Sequence, residues 1–331
     1  MSGGVTPVLR NVVDRLTRNL TRTLDLGTRS VARTYERTSG TTRTALRTVD
    51  NADTSIGHHL LEETRTVSQP NPMRMPARNW NYRRSDTEST MAARRLSTNV
   101  EFTDDMRDAV ARSSTEVRKM RSEDGELNIY KPIHGEKYDA NLPFIHAPGA
   151  LTSREIAAYR VDEILGFGRI PPTARTDGVV GPDGRHSGPG MIQQFVDSTP
   201  SRSIDAYPRV QQQQVGVLDY LIGALDRHPG NYRTVDRGTH LDLVAIDHGR
   251  SFPLARNPHN IAIDSDFVAA HKGQQLEPEV LDAIRNADTG RLRAAMGDAG
   301  LHPNAIDGAL ARLERVRELG HIPANVWILP P

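Results

Sequence analysis

The sequence predicts an α+β fold of two lobes, the first rich in strands and the second helical, preceded by an α-helical N-terminal extension. Two observations carry this prediction. Short apolar segments separated by turn residues occur between residues 109 and 196, whereas residues 277–319 repeat apolar side chains at helical spacing. Strands grouped in one part of a chain and helices in another are typical of the α+β class.

The composition excludes several kinds of site and segment. The 331 residues include no Cys, so disulfides and thiolate metal sites are excluded. No apolar run approaches the roughly 20 residues of a membrane span. The N-terminus, Met1-Ser2-Gly3-Gly4, lacks the apolar core of a secretory signal peptide. We therefore expect a cytoplasmic protein, with export by a route that needs no signal peptide as the alternative.

The charge is distributed unevenly along the chain. Residues 1–100 hold 16 Arg, no Lys and nine acidic residues, a net charge of +7, although the whole chain carries only +1. This asymmetry indicates two segments with different partners. We predict a helical extension over residues 1–66, a linker or strap over residues 67–100, and a catalytic domain over residues 101–331.

The N-terminal extension shows the periodicity of an amphipathic helix. Apolar side chains recur every fourth residue, with Arg between them. One interpretation is a small helical bundle with solvated Arg, and another is a basic surface for an acidic membrane or a docking protein. Nucleic acid is disfavoured, because Tyr35 is the only aromatic residue among the first 66 and single-strand binding needs several stacking platforms. The periodic apolar residues are Val8, Val12, Leu16, Leu20 and Leu24.

The elements of the two lobes follow from local patterns. We expect two strands joined by a turn at Glu123-Asp124-Gly125, then a helix, two strands separated by the Gly/Pro-rich segment "GPDGRHSGPG", and a buried helix. In this order the predicted ranges are 109–117, 126–132, 152–165, 170–175, 191–196 and 211–225.

A hairpin is predicted directly after the buried helix. Residues 231–236 and 240–247 read as strands about a turn at Arg237-Gly238. Antiparallel pairing about this turn places residue 231 near 244 and residue 228 near 247. The residues that precede the first strand and follow the second therefore come to the same end of the hairpin.

This end of the hairpin gathers oxygen-bearing side chains. Asp226 and Asn231 approach from one strand and Asp247 from the other. Carboxylate and amide oxygens suit Mg²⁺, which keeps several waters and shares its coordination shell with phosphates. Taken singly, Asp226 and Asn231 are also ordinary turn residues.

Two residues of the strand-rich lobe complete the candidate site. Lys131 ends the strand "LNIYKP", from which its ammonium could reach phosphate oxygens, and Glu155 of the next helix could hold that ammonium in place. Phosphoryl transfer needs such clamping, a metal and a group that positions the acceptor hydroxyl. The alternative for Glu155 is local, because Thr152-Ser153-Arg154-Glu155 fits a capping box that satisfies the first amides of the helix.

These motifs resemble a known family. Asp226-Arg227-His228-x-x-Asn231 followed by Ile246-Asp247-His248-Gly249 resembles the catalytic and metal-binding loops of the phosphatidylinositol 3-/4-kinases, and "AIDHGRSFP" is similar to the type II 4-kinases. HipA-like toxin kinases share the first motif. "IYKPIHGE" and "GMIQQFVD" are similar to an uncharacterised, largely actinobacterial group in that superfamily. The resemblance spans roughly residues 109–256 and implies a bacterial member.

The resemblance implies a bilobal protein-kinase-like fold and a kinase that uses ATP and Mg²⁺, or Mn²⁺. Lys131 would contact the α- and β-phosphates and Glu155 would pair with it. Asp226 or His228 would serve as the base, while Asn231 and Asp247 would hold the metal. Two further segments would bind the nucleotide. The strand that meets adenine would supply Gln193, Gln194, Phe195 and Val196, and the segment that covers the phosphates would supply Ser113, Ser114 and Thr115.

Two features depart from the kinase pattern, and the acceptor is left open. The sequence has no G-x-G-x-x-G loop, although lipid kinases and HipA-like proteins lack that loop too. His248 stands where many kinases have Phe. We expect a Ser or Thr hydroxyl of a protein as the acceptor ahead of a phosphoinositide. The alternatives are a pseudokinase scaffold that binds nucleotide without catalysis, and a secreted effector or toxin kinase with an N-terminal docking module.

Overall fold

The computed structural model describes residues 88–103, 106–107, 110, 113, 115–137, 147–178, 187–255 and 257–328. The predicted helical extension of residues 1–66 lies outside the described residues, as do Ser114 and much of the predicted linker. Within the described part of the chain, no helix is both long enough and apolar enough to cross a membrane.

The first lobe is a five-stranded antiparallel sheet. Its strands are β1 (Leu96–Val100), β2 (Arg118–Ser122), β3 (Leu127–Pro132), β4 (Thr173–Thr176) and β5 (Gly190–Gln194). They lie in the order β1-β2-β3-β5-β4. A short helix, α1 (Glu88–Ala93), packs Met91 into the apolar layer of this sheet, and Met91 is fully buried there.

The N-terminal boundary of this lobe differs from the prediction. Residue 101 was expected to begin the domain, but β1 already pairs with β2, from Leu96 opposite Ser122 to Val100 opposite Lys119. Residues 88–100 therefore belong to the lobe and not to a linker. The alternation of β1 is weak, since only Leu96 is buried along it, and for that reason the sequence pattern did not reveal this edge strand.

The strand predicted over residues 109–117 is not found in its described part, residues 110, 113 and 115–117, where only Thr115 makes an isolated bridge, to Glu136. The strand that pairs with β3 is β2, a charged segment that begins after that range. Lys119 of β2 is buried and its ammonium lies 4.2 Å from the centre of the Phe195 ring, while Met120 lies in the apolar layer. The aromatic ring thus covers the charge of a buried lysine in this strand.

Helix α2 (Ala150–Leu165) crosses from the sheet to the second lobe and begins two residues before its predicted start. Its N-terminus is satisfied from outside the helix. Glu136 Oε2 accepts the Gly149 amide at 3.0 Å, and Oε1 accepts the Thr152 amide at 2.9 Å. The capping-box alternative for Glu155 is therefore wrong, because a carboxylate from the preceding segment caps the helix and leaves Glu155 for other contacts.

The second lobe is helical, as predicted. Helix α3 replaces the helix expected over residues 211–225, and three further helices fill the range 277–319. Buried apolar faces of these helices form one core, and Gly223 ends α3 with a positive φ of 62°. The helices are α3 (Arg209–Ile222), α4 (Asp266–His271), α5 (Pro278–Asn286), α6 (Thr289–Asp298) and α7 (Pro303–Leu319).

Two small sheets complete the second lobe. β6 (Thr199–Pro200), β7 (Tyr232–Asp236) and β8 (Leu241–Ala245) form an antiparallel sheet. β9 (Ala262–Ile263) and β10 (Trp327–Ile328) form a parallel pair. The prediction of an α+β fold with a strand-rich first lobe and a helical second lobe is confirmed.

The predicted β7–β8 hairpin is present, but its register differs by two residues. Tyr232 lies opposite Ala245, and the Ile246 amide donates to the Asn231 carbonyl at 3.0 Å. The connection is a four-residue loop closed by Arg237 and His240, not the expected two-residue turn. A shift of two residues leaves every side chain on its predicted face. The two ends of the hairpin therefore still meet.

Candidate active site

Lys131 lies on β3 with its side chain on the cleft face of the sheet. Ile129 and Lys131 line the cleft, whereas Tyr130 between them packs into the apolar layer, as the two-residue period of a strand requires. Lys131 Nζ lies 2.6 Å from Glu155 Oε1 and 2.9 Å from Asp247 Oδ1. Burial opposes its charge, but the two carboxylates outweigh burial and raise the pKa of Lys131 above its ordinary value. The ammonium is therefore held in the charged form.

Glu155 joins three elements of the site. Its Oε1 binds Lys131, and its Oε2 accepts the His248 amide at 2.8 Å. Burial acts against ionisation of this carboxyl, but the Lys131 ammonium and the His248 side chain, whose Nδ1 lies 3.7 Å from Oε2, hold its pKa below the usual range. The pairing expected of Lys131 and Glu155 is thus present in the structure, and its catalytic meaning stays a prediction.

Asp247 follows β8 and turns the chain sharply. Its φ is +57°, a left-handed conformation that Asp adopts more readily than most residues. Its side chain is 36% exposed and lines the cleft, whereas the next residue, His248, is fully buried. The turn therefore sends one side chain into the cleft and the next into the interior. Asp247 is the residue of the buried charge network that a ligand can reach.

Arg227 holds the two ends of the hairpin together, and the sequence analysis assigned it no role. Its guanidinium donates to the carbonyls of Asn231 and of Ile246, the latter at 2.6 Å. Its other nitrogens lie 3.2 Å from the carboxylate of Asp219 on α3, which also accepts from Ser265 Oγ at 2.8 Å. Asp219 lies within an apolar helical segment of the sequence. A carboxylate at such a position indicates a buried cationic partner, and this is the pattern that could have identified the Arg227–Asp219 pair.

Asp226 lies beside the recess that adjoins Lys131 and is partly exposed. His228 Nε2 lies 3.9 Å from its Oδ1, and Arg250 Nη1 lies 3.8 Å from its Oδ2. Burial raises the pKa of Asp226, although Arg250 lowers it in part. The Arg250 carbonyl accepts the Leu225 amide at 3.1 Å, which places Arg250 beside Asp226. Sequence reasoning missed Arg250 because the pattern of the motif ends at Gly249.

Asn231 and Asp247 are the candidate metal ligands. The Asn231 amide nitrogen donates to the Asp226 carbonyl at 2.6 Å, so its side-chain oxygen is the atom available to a ligand in the cleft. Across the residues that the structure describes, no three His, Asp or Glu side chains form a metal site by themselves. One carboxylate and one amide oxygen fit Mg²⁺ that completes its coordination with phosphates and water.

A cleft is lined by residues of both lobes. Apolar side chains such as Ile129, Val196 and Val244 form its walls, and Lys131 and Asp247 lie at one end. The residues predicted to meet adenine all line it: Gln193, Gln194, Phe195 and Val196. A slot with apolar walls and charges at one end suits a flat ring attached to a polar chain.

A smaller recess adjoins the cleft and shares Lys131 and Asp247 with it. Asp226 and Arg250 line this recess, and so does Thr115. Of the residues predicted to cover phosphates, Ser113 lines the larger cleft, Thr115 lines the recess and is buried, and Ser114 lies outside the described residues.

Comparison with known proteins gives one curated relative and several solved structures. No family model matches the chain. Phosphatidylinositol 4-kinase gamma 4 of Oryza sativa subsp. japonica is 32% identical over 164 residues, which cover 40% of this chain and 28% of that protein. The chain thus spans less than a third of the length of the curated relative that it matches.

The solved structures are similar at low identity. The Golgi casein kinase with Mn/ADP bound has a TM-score of 0.44 at 15% identity, covering 68% of this chain and 72% of that one. The hydra Fam20 structure with sugar has a TM-score of 0.42 at 13% identity, covering 70% and 86%. The Helicobacter pylori proinflammatory kinase CtkA has a TM-score of 0.40 at 12% identity, covering 70% and 94%.

Proposed function

We propose that the protein is a kinase that moves the γ-phosphoryl group of ATP to a hydroxyl acceptor with Mg²⁺ or Mn²⁺. One observation carries the proposal. The Lys131 ammonium is held between Glu155 and Asp247 at the wall that the cleft and the recess share. A fixed cation beside a partly exposed carboxylate is what phosphate clamping and metal binding require. The curated relative is itself named a kinase.

Each site residue has a task in this proposal. Lys131 binds the α- and β-phosphates, and Glu155 keeps its ammonium in position. Asp247 and Asn231 hold the divalent cation, which supplies neutralisation of phosphate charge when bound. The apolar walls of the cleft contain the adenine ring beside residues 193–196, and the recess admits the acceptor next to Asp226. Low exposure of these charges strengthens their electrostatic effect on the phosphates.

The acceptor is a hydroxyl, and we propose a Ser or Thr of a protein ahead of a phosphoinositide. The sequence shows no lipid-binding pattern beyond the Arg-rich segment of residues 1–66, which favours a protein acceptor. The name of the curated relative supports the alternative, an inositol hydroxyl. Both acceptors satisfy the same site, because the recess need only accommodate a hydroxyl beside Asp226.

Incubation with γ-labelled ATP and Mg²⁺ tests the function. The acceptors are dephosphorylated casein and phosphatidylcholine vesicles that contain phosphatidylinositol, and products are separated into protein and lipid fractions. We expect label in protein, and loss of about 10²-fold or more in Lys131→Met. Lys272→Met is the matched control, because Lys272 lies at the end of α4, outside both cavities.

The outcomes separate the alternatives. Label in lipid alone would replace the protein acceptor with a phosphoinositide. Nucleotide binding by calorimetry without any transfer would show a pseudokinase scaffold. Equal transfer by Lys131→Met and Lys272→Met would contradict the assignment of Lys131.

We also propose that residues 1–66 form a docking module for an acidic membrane or an acidic partner protein, as their Arg content suggests. Removing them should leave transfer unchanged and weaken binding to anionic vesicles. That binding should fall with salt, because the Debye length shrinks from about 10 Å at 0.1 M to about 3 Å at 1 M. Loss of cooperative melting in the truncated chain would show a structural segment instead. The cytoplasmic location, and export as an effector, stay predictions.

A further inference from the structure

His228 lies three residues before Asn231 and beside Asp226, and either His228 or Asp226 is a candidate base. We propose that His228 is a positioning residue: its neutral ring carries the proton on Nε2, and this N–H orients the Asp226 carboxylate, which takes the proton of the acceptor. The proposal rests on the proposed function.

The other ring nitrogen is already an acceptor. His228 precedes the short turn Pro229–Asn231, and its Nδ1 accepts the Gly230 amide at 3.0 Å. A nitrogen that accepts a hydrogen bond has its lone pair engaged and carries no proton. Since a neutral imidazole carries one proton, that proton lies on Nε2. Nε2 therefore donates and has no lone pair with which to receive a proton.

The Gly230 backbone passes close to the ring. A Cβ atom at Gly230 would lie 2.6 Å from His228 Cε1 and 2.9 Å from Nδ1. A side chain at residue 230 would therefore displace the ring from the turn. Glycine at this position is compatible with the hydrogen bond from the Gly230 amide to Nδ1 that indicates the tautomer.

The same local arrangement occurs a second time, far from the site. His302 precedes Pro303, and its Nδ1 accepts the Asn304 amide at 3.2 Å at the start of α7. A His-Pro pair therefore caps a turn in the same way at both places. The two histidines differ in what surrounds Nε2. His228 Nε2 lies 3.9 Å from Asp226 Oδ1.

Asp226 has a donor beside each carboxylate oxygen. His228 Nε2 lies near Oδ1, and Arg250 Nη1 lies 3.8 Å from Oδ2. Both distances exceed that of a direct hydrogen bond, and such contacts commonly shorten when substrate binds. The two donors flank the carboxylate at the recess that Asp226 and Arg250 line, and shortening of both contacts would hold it in one orientation there.

Every bond and proton of the transfer step is accounted for when His228 acts only as a hydrogen-bond donor. The acceptor oxygen forms a bond to the γ-phosphorus, and the bond from that phosphorus to the bridging oxygen of ADP breaks. The hydroxyl proton moves to a carboxylate oxygen of Asp226. The ring of His228 gains and loses no proton.

The test is a double-mutant cycle on phosphate transfer from γ-labelled ATP to casein. His228→Asn keeps a side-chain oxygen that can accept the Gly230 amide, but it has no N–H at the position of Nε2. We expect a roughly tenfold lower kcat for this variant, with little change in KM for ATP. Asp226→Asn should fall roughly 10²- to 10⁴-fold. In the double variant the effect of His228→Asn should disappear, because it acts through Asp226.

His302→Asn is the matched control, since it preserves the same kind of cap outside the site, and its kcat should equal that of the unmodified protein. Three results would overturn the proposal. A loss in His228→Asn equal to that in Asp226→Asn would make His228 the base. An unchanged kcat would make His228 a cap alone, and additive losses in the double variant would separate it from Asp226. No transfer by the unmodified protein to any acceptor would refute the proposed function itself.

Discussion

Two buried ion pairs contact the open end of the β7–β8 hairpin, and they differ in what a ligand can reach. The side chains of Arg227 and Asp219 are 1% and 0% exposed, and Arg227 also donates hydrogen bonds to two backbone carbonyls. Lys131 and Glu155 are 9% and 2% exposed, but Lys131 also contacts Asp247, which is 36% exposed. The first pair is closed on the protein, whereas the second extends through Asp247 into the cleft.

The exposure of each pair determines whether its charges stabilise the fold or bind a ligand. A closed pair can only hold the backbone, and here it holds the carbonyl of Asn231, one candidate metal ligand, and that of Ile246, which precedes the other. An open pair can exchange one protein contact for a phosphate or a cation. We therefore expect changes to the closed pair to act on stability and changes to the open one to act on transfer.

The largest effect is expected from Arg227→Met. It leaves the Asp219 carboxylate buried without its cation, which should lower the free energy of unfolding by about 3–5 kcal/mol. Urea unfolding measures this. Arg293→Met is the control, because Arg293 is 55% exposed and pairs with Asp307 at the surface. If both variants are equally stable, Arg227 does not hold the hairpin ends in the way the geometry suggests.

Asp247→Asn should act mainly on transfer. It removes the charge of the accessible carboxylate but keeps a residue that adopts a positive φ readily, and we expect transfer to fall about 10²- to 10³-fold. The melting temperature should fall far less than in Arg227→Met, because Glu155 still pairs with Lys131. Asp282→Asn, at an exposed position of α5, should have no effect on either quantity. Transfer at the native rate by Asp247→Asn would show that Asp247 does not hold the metal.

The smallest effect is a pH dependence of stability from Glu155. Its folded pKa lies below the usual range, whereas an unfolded Glu has a pKa of about 4.3. The stabilisation is therefore fully present above the unfolded pKa and is lost as the pH falls through the folded pKa. The difference in unfolding free energy between the native protein and Glu155→Gln should be constant near pH 7 and shrink below about pH 4.

Urea unfolding at several pH values measures this difference. Glu314→Gln serves for comparison, because Glu314 is 52% exposed in its pair with Arg317, and its curve should run parallel to that of the native protein. A parallel curve for Glu155→Gln as well would mean that the Lys131 pair does not depress this carboxyl.

Local patterns predicted most elements of the fold. Helix α2, the helices between residues 277 and 319 and the β7–β8 hairpin follow from periodicity and turn residues. The predicted hairpin register differs from the observed one by two residues, because the loop closed by Arg237 and His240 holds four residues. A shift by an even number of residues keeps the site residues on their predicted faces. Strand β2 was missed because its charged Lys119 is covered by Phe195, which directly follows β5.

The order of residues along the chain is enough to predict which chemical groups occur and that hairpin pairing brings Asp226, Asn231 and Asp247 to one end. Which charges are buried, and what each one contacts, depends on the packing of elements that are distant in sequence. Lys131 reaches Glu155 across 24 residues and Asp247 across 116. The physical reason is that the energy of a charge depends on the solvent and the partners around it, and packing of distant elements sets both.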